Sequence, residues 1–575
     1  MTDPSARVAW SRASAILVPT ALALVLRVRG VFDGSIWSDE LHVVAAAKQG
    51  VARAIQVAAA DVYPPLYYVL AALFDPADPH RLRLISAIAG TLTVLLVAGL
   101  GLRLGTPRSA WLGGLWLAVL PAHVHWSQEA RAYALIGLLI VALGGNVLVG
   151  GATVVTALLT SALMYTHGLA PVYLLPIAVL LVWTRDWGQL MAIGIGALTF
   201  LPWLTLGFSQ GERYQGFGGE ALTWVDFLSR SLAYLGSGHI DASWALWSGA
   251  PMLLLLAMLA ARKGPAQKLL VGVALGFVAL AAAAPFIGGL MGKHALPLAG
   301  LVALAFGLGA QNLPSRAWWL LVPVVLAAPT LGLVRGAARD PVRFDVRAVV
   351  AAASNARPAG PLASNRPELV RLYQPAPVLG VPLDDPAAML DVYQWQQHAF
   401  ARRARAAWWI VEGAQPELLG KLRAVFPVVW VSQQRGALGV AVALESGVPL
   451  PVREASLERV LLEHEGDTLA FYQAGSARML SEASGALTLW MTASAPESNL
   501  AVRITSGAAP PIEWHCGASP LLERRVAGHV EAGSTVELVF ADEAGAGGMD
   551  ANVWVYRVEV TDAAQVPDGC SVTSR

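Results

Sequence analysis

Apolar runs, interrupted by short basic or turn-forming segments, occupy most of residues 13–334. A helix needs about 20 mostly apolar residues to cross a bilayer. The first run, "ASAILVPTALALVL", has Arg7 and Arg12 before it and Arg27 and Arg29 after it. No small-residue cleavage site follows, so the run reads as a retained membrane helix rather than a removed leader. Further runs cover roughly 84–102, 109–122, 132–149, 152–166, 169–183, 189–208, 244–261, 269–290, 295–311 and 317–334. The pattern therefore predicts about eleven transmembrane helices. "PPLYYVLAALF" at 64–74 is too short to span and reads as an interfacial or re-entrant helix, with Pro64 and Pro65 suited to its start.

With the N-terminus in the cytoplasm, alternation puts Arg103, Arg108, Arg185, Arg262, Lys263, Lys268 and Arg316 in short cytoplasmic turns. The longer segments 30–83, 209–243 and everything after about 336 then fall outside. Beyond Arg335 the pattern changes. Helix-like and strand-like pieces alternate to about residue 445, as in "PELLGKLRAVF" and "VVWVSQQ", predicting a small α/β domain. From 446 the pieces are strands: Leu487, Leu489 and Met491 alternate with Thr488, Trp490 and Thr492, and "LAVRIT", "TVELVF" and "NVWVYRVEV" follow. Spacing of this kind predicts a β-sandwich. The expected domains are thus 1–335 (membrane), 336–445 (α/β) and 446–575 (sandwich). Trp490, Trp514 and Trp554 are expected mostly in the sandwich core, with stacking on sugar rings as the other use.

Composition agrees. The chain is 56% hydrophobic and 14% charged, with a mean hydropathy of +0.55, whereas soluble domains are roughly 25% charged. A net charge of +1 without Lys/Arg runs gives no footing for a nucleic-acid partner. Cys516 and Cys570 both lie in the polar C-terminal part, and the sequence leaves their pairing open.

This topology gathers the ionisable residues on the outer face. Asp39 and Glu40 lie in the first outer loop, and Arg81 and Arg83 at the start of the next span. "HWSQEARAYAL" brings Glu129, Arg131 and Tyr133 to another span's outer end. His167 caps a further span, and Lys293 with His294 opens the one near residue 295. The spans themselves hold almost no charge, so these are rim residues of one prospective cavity.

In order, "SIWSDELH", "YPPLYYVL", "RLISAIAG" and "SQEARAYAL" make residues 12–335 resemble the bacterial GT-C superfamily glycosyltransferases. These are the RgtA/B/C/D-like group, relatives of protein O-mannosyltransferases and lipid A aminoarabinose transferases. The resemblance implies a polytopic GT-C fold, embedded in the bacterial cytoplasmic membrane. The implied activity moves a sugar from a polyprenyl-phosphate donor to a glycan, lipid or protein acceptor on the outer face. Two positions depart from the family's pattern. Tyr63 stands where it has His, and Lys293-His294 where it has Arg-Tyr. The second change keeps a positive charge and loses Arg's bidentate grip on phosphate.

The implied chemistry needs a base for the acceptor hydroxyl, expected at Asp39, and cations aimed at the departing phosphate, expected at Arg83, Arg131 and Lys293. Glu40 either orients Asp39 or shares a divalent ion with it; a monophosphate leaving group makes a metal optional. Tyr63, Glu129, Tyr133, His167 and His294 complete the expected donor-binding set. The rival functions are a polysaccharide ligase or polymerase, which would consume a diphosphate, and a lipid-linked-sugar transporter. A transporter would show broken, charged mid-membrane helices in paired repeats, and the sequence has none visible. A binding module anchored by the membrane part is a third rival, for which eleven spans are excessive.

Overall fold

Helices, hinged at Pro and Gly, build the first of two units into which a computed structural model divides, Met1–Asp340 and Pro341–Arg575. It describes residues 4–206 except 49, 62 and 75–77, then 208, 222–238, 265–286, 290 and 292–335, and beyond 344 the elements named below with their turns. The expected span at 244–261 lies outside the described residues.

In the first unit α1 is Pro4–Arg29, α2 Ser38–Ala47, α3 Gly50–Ala60, α4 Leu66–Ala72 and α5 Arg83–Leu104. There follow α6 Pro107–Val119, α7 Pro121–Trp126, α8 Tyr133–Leu148, α9 Thr153–Met164, α10 Ala170–Thr184 and α11 Trp187–Leu198. Further helices are Trp224–Ser237, Pro265–Ala283, Ala299–Ala310 and Ser315–Arg335, with a 3-10 turn at Gly292–Leu298. Among the described residues, Ser11–Arg29, Pro79–Leu104, Ala266–Ala283 and Gly292–Ala310 are long and apolar enough to cross a membrane. Helix α4 is seven residues long, with Tyr67, Tyr68 and Ala71 buried.

On two helices the polarity is inverted relative to a soluble protein. Helix α9 exposes Val154 and Leu158 and buries Thr156 and Thr160; α11 exposes Met191 and Ile195 and buries Gln189. Apolar residues outside and hydroxyls or amides between helices suit a lipid surround. Thr156 donates to the Gln189 Oε1 at 2.5 Å, joining the two helices through their buried polar groups. Small residues bring backbones close elsewhere. A Cβ on Gly113 would lie 2.7 Å from the Ala303 carbonyl oxygen, and one on Gly307 2.1 Å from that of Ser109. Only glycine permits this approach of α6 to Ala299–Ala310.

The span expected at 109–122 is broken. Pro121 disfavours helical geometry in the residue before it, and Leu120 is extended at φ −62°, ψ 113°. The carbonyls of Leu117 and Ala118 accept instead from the Arg27 guanidinium, at 3.2 and 3.3 Å. Arg27 Nη2 also lies 2.7 Å from His123 Nδ1. Arg27 is therefore no lipid-facing flank. It is wholly buried and caps the broken end of α6.

In the second unit a five-stranded sheet runs in the order Val378–Gly380, Leu362–Ser364, Ala406–Val411, Ala437–Ala443, Val428–Gln434. Its first three strands are parallel and the rest antiparallel. Two antiparallel sheets follow. One orders Val452–Leu457, Gly475–Leu480, Thr535–Phe540, Ser498–Thr505, Ile512–Ala518 and Cys570–Val572. The other orders Glu523–Val530, Gly485–Ala493, Val553–Thr561, Leu469–Phe471 and Val460–Leu462. Leu487, Leu489, Met491, Val502, Leu538 and Val555 share one core between them.

Cys516 and Cys570 are disulfide-bonded across 54 residues, with Cα atoms 4.2 Å apart, stapling the last strand to its neighbour. Apolar and polar residues alternate along 485–493, yet every residue of that strand is buried. It is central in its sheet, flanked by Glu523–Val530 and Val553–Thr561, and its second face, bearing Thr488, Trp490 and Thr492, is covered too. Trp490 is thus buried outside the shared core.

Candidate active site

Helix α2 starts at Ser38, and this start decides the fate of the adjacent acids. Consecutive helical residues point about 100° apart and cannot face the same partner. Asp39 turns outward, its side chain 42% exposed. Glu40 turns inward and is fully buried. Both acids sit in the first turn, where the helix dipole favours negative charge.

Arg83 closes on Glu40 in a forked pair. Its Nε donates to Oε1 at 2.8 Å and its Nη2 to Oε2 at 2.6 Å. The other guanidinium N–H groups donate to the carbonyls of Val31, Asp33 and Ser35, at 3.2, 2.9 and 2.6 Å. The five N–H donors of an arginine are then all engaged. This corrects the expected phosphate-binding role of Arg83: it clamps the loop before α2 and is itself 1% exposed. Glu40 Oε1 also accepts the Ala130 N–H at 2.7 Å. With both its oxygens occupied and its side chain turned from Asp39, Glu40 does not fit the expected shared metal site. Nor do the described residues contain a cluster of three or more potential metal ligands.

Glu129 is buried and accepts the indole N–H of Trp37, the residue preceding α2. It positions the helix that carries Asp39. Arg131 reaches Asp39 directly: Nη1 donates to its carbonyl at 2.7 Å, and Nη2 lies 3.4 Å from its Oδ2. The same guanidinium sits 4.6 Å over the Tyr63 ring.

A small cavity opens beside this group, lined in part by Tyr63, Tyr67, Tyr68, Arg131, Tyr133 and His167. Tyr67 is held by Ser86, which donates to the Arg131 carbonyl at 2.9 Å. His167 packs edge-on to Tyr63 with centroids 5.3 Å apart, and its ring lies 5.9 Å from that of Tyr133. Tyr133 in turn packs on Trp126 at 4.3 Å. Over these two rings stands the Lys293 ammonium, 5.4 Å from Trp126 and 5.9 Å from Tyr133. His294 is buried, 6.2 Å from Tyr133 ring to ring, and its carbonyl accepts from Tyr173. Burial first, then the charges of Arg131 and Lys293, hold the His167 imidazole down at about 3, so it is neutral at working pH.

Asp39, Arg131, Lys293, Tyr63, Tyr133, His167 and His294 thus form or border one aromatic-walled site. Trp37, Tyr67, Tyr68, Ser86 and Trp126 belong to it and were not singled out from the sequence. Trp126 and the tyrosine pair lay inside motifs already conspicuous, "HWSQEARAYAL" and "YPPLYYVL". An exposed carboxylate beside fixed cations can take a proton next to a developing anion.

No protein-family model matches the chain, and no curated relative does. Among solved structures, ArnT from Cupriavidus metallidurans in the apo state matches with a TM-score of 0.51 at 15% identity, over 74% of this chain and 97% of that one. The chain has a GT-C fold. A structure of the same ArnT bound to undecaprenyl phosphate matches at TM-score 0.49 and 15% identity, over 76% and 98% of the two chains. The apo oligosaccharyltransferase of Archaeoglobus fulgidus gives 0.46 and 11%, over 97% of each. In this GT-C fold, Asp39 stands at the start of a short buried-faced helix after the first long one, and the cavity lies among the short segments that link the longer helices.

Proposed function

We propose that this chain is an integral-membrane glycosyltransferase of about eleven spans that moves a sugar from a polyprenyl monophosphate to a hydroxyl acceptor. Asp39 accepts the acceptor's proton as its oxygen bonds to the anomeric carbon. The bond from that carbon to the phosphate oxygen breaks, and polyprenyl phosphate leaves with the electron pair. Arg131 and Lys293 stabilise that charge as it grows, from positions set before the reaction. Glu40, Arg83 and Glu129 hold the loop and helix that aim Asp39. The juxtaposition of half-exposed Asp39 with Arg131 carries this reading. The acceptor is a glycan, lipid or protein of the cell envelope.

Lys293 meets only aromatic faces among the described residues, with no carboxylate in reach, so its charge is available to a phosphate. Lys293→Ala is expected to raise the KM for a polyprenyl-phosphate sugar about tenfold or more, the worth of a charge-assisted contact. Steady-state kinetics of the purified variant check this. An unchanged KM would make Lys293 a residue that only snorkels to the lipid surface.

The site and the second unit lie outside the bacterial cytoplasmic membrane in this proposal, with the N-terminus inside. The basic turns support that orientation, as does a disulfide, which belongs to oxidising compartments. A reporter fused after Asp340 is expected to work in the periplasm. Activity only in the cytoplasm would reverse the topology.

A further inference from the structure

We infer that the cavity beside Asp39 seats the donor's sugar ring, that this ring carries no positive charge, and that His167 recognises one of its hydroxyls through Nε2–H. The inference rests on the transfer reading above and deepens it to a substrate class.

Three observations lead there. The first is an orphan donor. His167 is 5% exposed and its Nδ1 accepts the Leu169 N–H at 3.0 Å. A neutral imidazole with Nδ1 as acceptor carries its hydrogen on Nε2. That Nε2 is buried without a hydrogen-bond partner among the described residues, on a residue that lines the cavity. Buried polar groups are nearly always satisfied, and an oxygen supplied by a ligand would satisfy this one.

The second is place. In a glycosyl phosphate, a single oxygen joins phosphorus to the anomeric carbon. A phosphate held by Arg131 and Lys293 therefore leaves its ring in the space those cations border, and Arg131 is a wall of the cavity. The tyrosine rings offer the faces on which a sugar's C–H surface packs.

The third is charge. Among the described residues none that lines the cavity is acidic, Arg131 is one of its walls, and the Lys293 ammonium stands over the Tyr133 ring that forms another. An ammonium on the sugar would meet two like charges, and the neighbouring carboxylate, Asp39, is already paired with Arg131, which selects against amino-sugar donors.

The test uses the purified full chain and polyprenyl-phosphate-linked glucose, mannose, galactose and arabinose, each with its monodeoxy forms and its amino counterpart. Bare polyprenyl phosphate is the reference, and binding is read by tryptophan fluorescence. The best neutral donor is expected to bind at least tenfold tighter than the bare carrier, and its amino counterpart at least tenfold weaker than the neutral form. One deoxy form is expected to lose about 10- to 100-fold, because it leaves the buried N–H unpaired. His167→Leu is expected to bind the bare carrier normally and no longer distinguish that deoxy form from its parent, and His167→Gln, which keeps a donor, to regain part of the discrimination. A flat deoxy series in the wild type overturns the inference, whatever the variants do. So does unchanged discrimination in His167→Leu, a preference for an amino sugar, or a His167→Leu defect confined to the acceptor. Sugar donors that bind no better than the bare carrier also overturn it and leave the transfer reading standing. If neither carrier nor donor binds, the transfer reading falls as well.

Discussion

Asp39→Asn is expected to lower turnover by about 100-fold or more while the protein still folds and inserts. The substitution keeps the shape of the side chain and removes its ability to take a proton. Its structural cost is small because the carboxylate is 42% exposed and its ion pair with Arg131, at 3.4 Å, is long. Arg131 also holds the Asp39 backbone carbonyl, and that contact survives the change. Rates measured at saturating donor, alongside the elution profile and melting temperature of the purified variant, check the claim. A normal rate would return Asp39 to the status of a surface acid.

Glu40→Gln is expected to behave in the opposite way, lowering stability by about 3–5 kcal/mol, the usual cost of stranding one member of a buried ion pair. Both partners are almost completely excluded from solvent, at 0% for the glutamate and 1% for the arginine. Glutamine has one acceptor oxygen where glutamate has two, and its amide nitrogen would face guanidinium N–H groups. The Arg83 clamp on the carbonyls of Val31, Asp33 and Ser35 would loosen with it. A detergent melt of the variant measures the effect, and added polyprenyl phosphate is expected to recover only part of the loss. A melting temperature equal to the wild type, with activity lost, would place Glu40 in the chemistry instead of the scaffold.

These contrasting expectations show where the sequence was readable and where it was not. The order of the polar motifs was enough to bring Asp39, Arg131, Tyr133, His167 and Lys293 to one region, because each closes or opens an apolar run. The division of labour between Asp39 and Glu40 was hidden. It depends on α2 beginning at Ser38, which rotates the two side chains apart. Arg83 looked like a phosphate ligand because arginine at a helix start usually meets anions. The carbonyls that occupy it come from an irregular loop whose path no periodicity describes. Arg27 was similarly opaque, since its partners exist only because Pro121 breaks the helix ninety-odd residues later. In the second unit, alternation marked the strand Gly485–Ala493 correctly, but burial of its second face depends on what covers it, which alternation does not encode.

In the proposed reaction a sugar leaves a polyprenyl monophosphate and is bonded to a new oxygen. Mass spectrometry of the lipid products tests it most directly, with purified protein, a polyprenyl-phosphate sugar labelled in the sugar, and a cell-envelope extract as acceptor source. Free polyprenyl monophosphate is expected to accumulate in step with labelled acceptor, and neither product to form with Asp39→Asn. Consumption of only diphosphate-linked sugars, as a ligase or polymerase would show, would contradict it. So would intact donor merely moved across the bilayer, as a transporter would leave it.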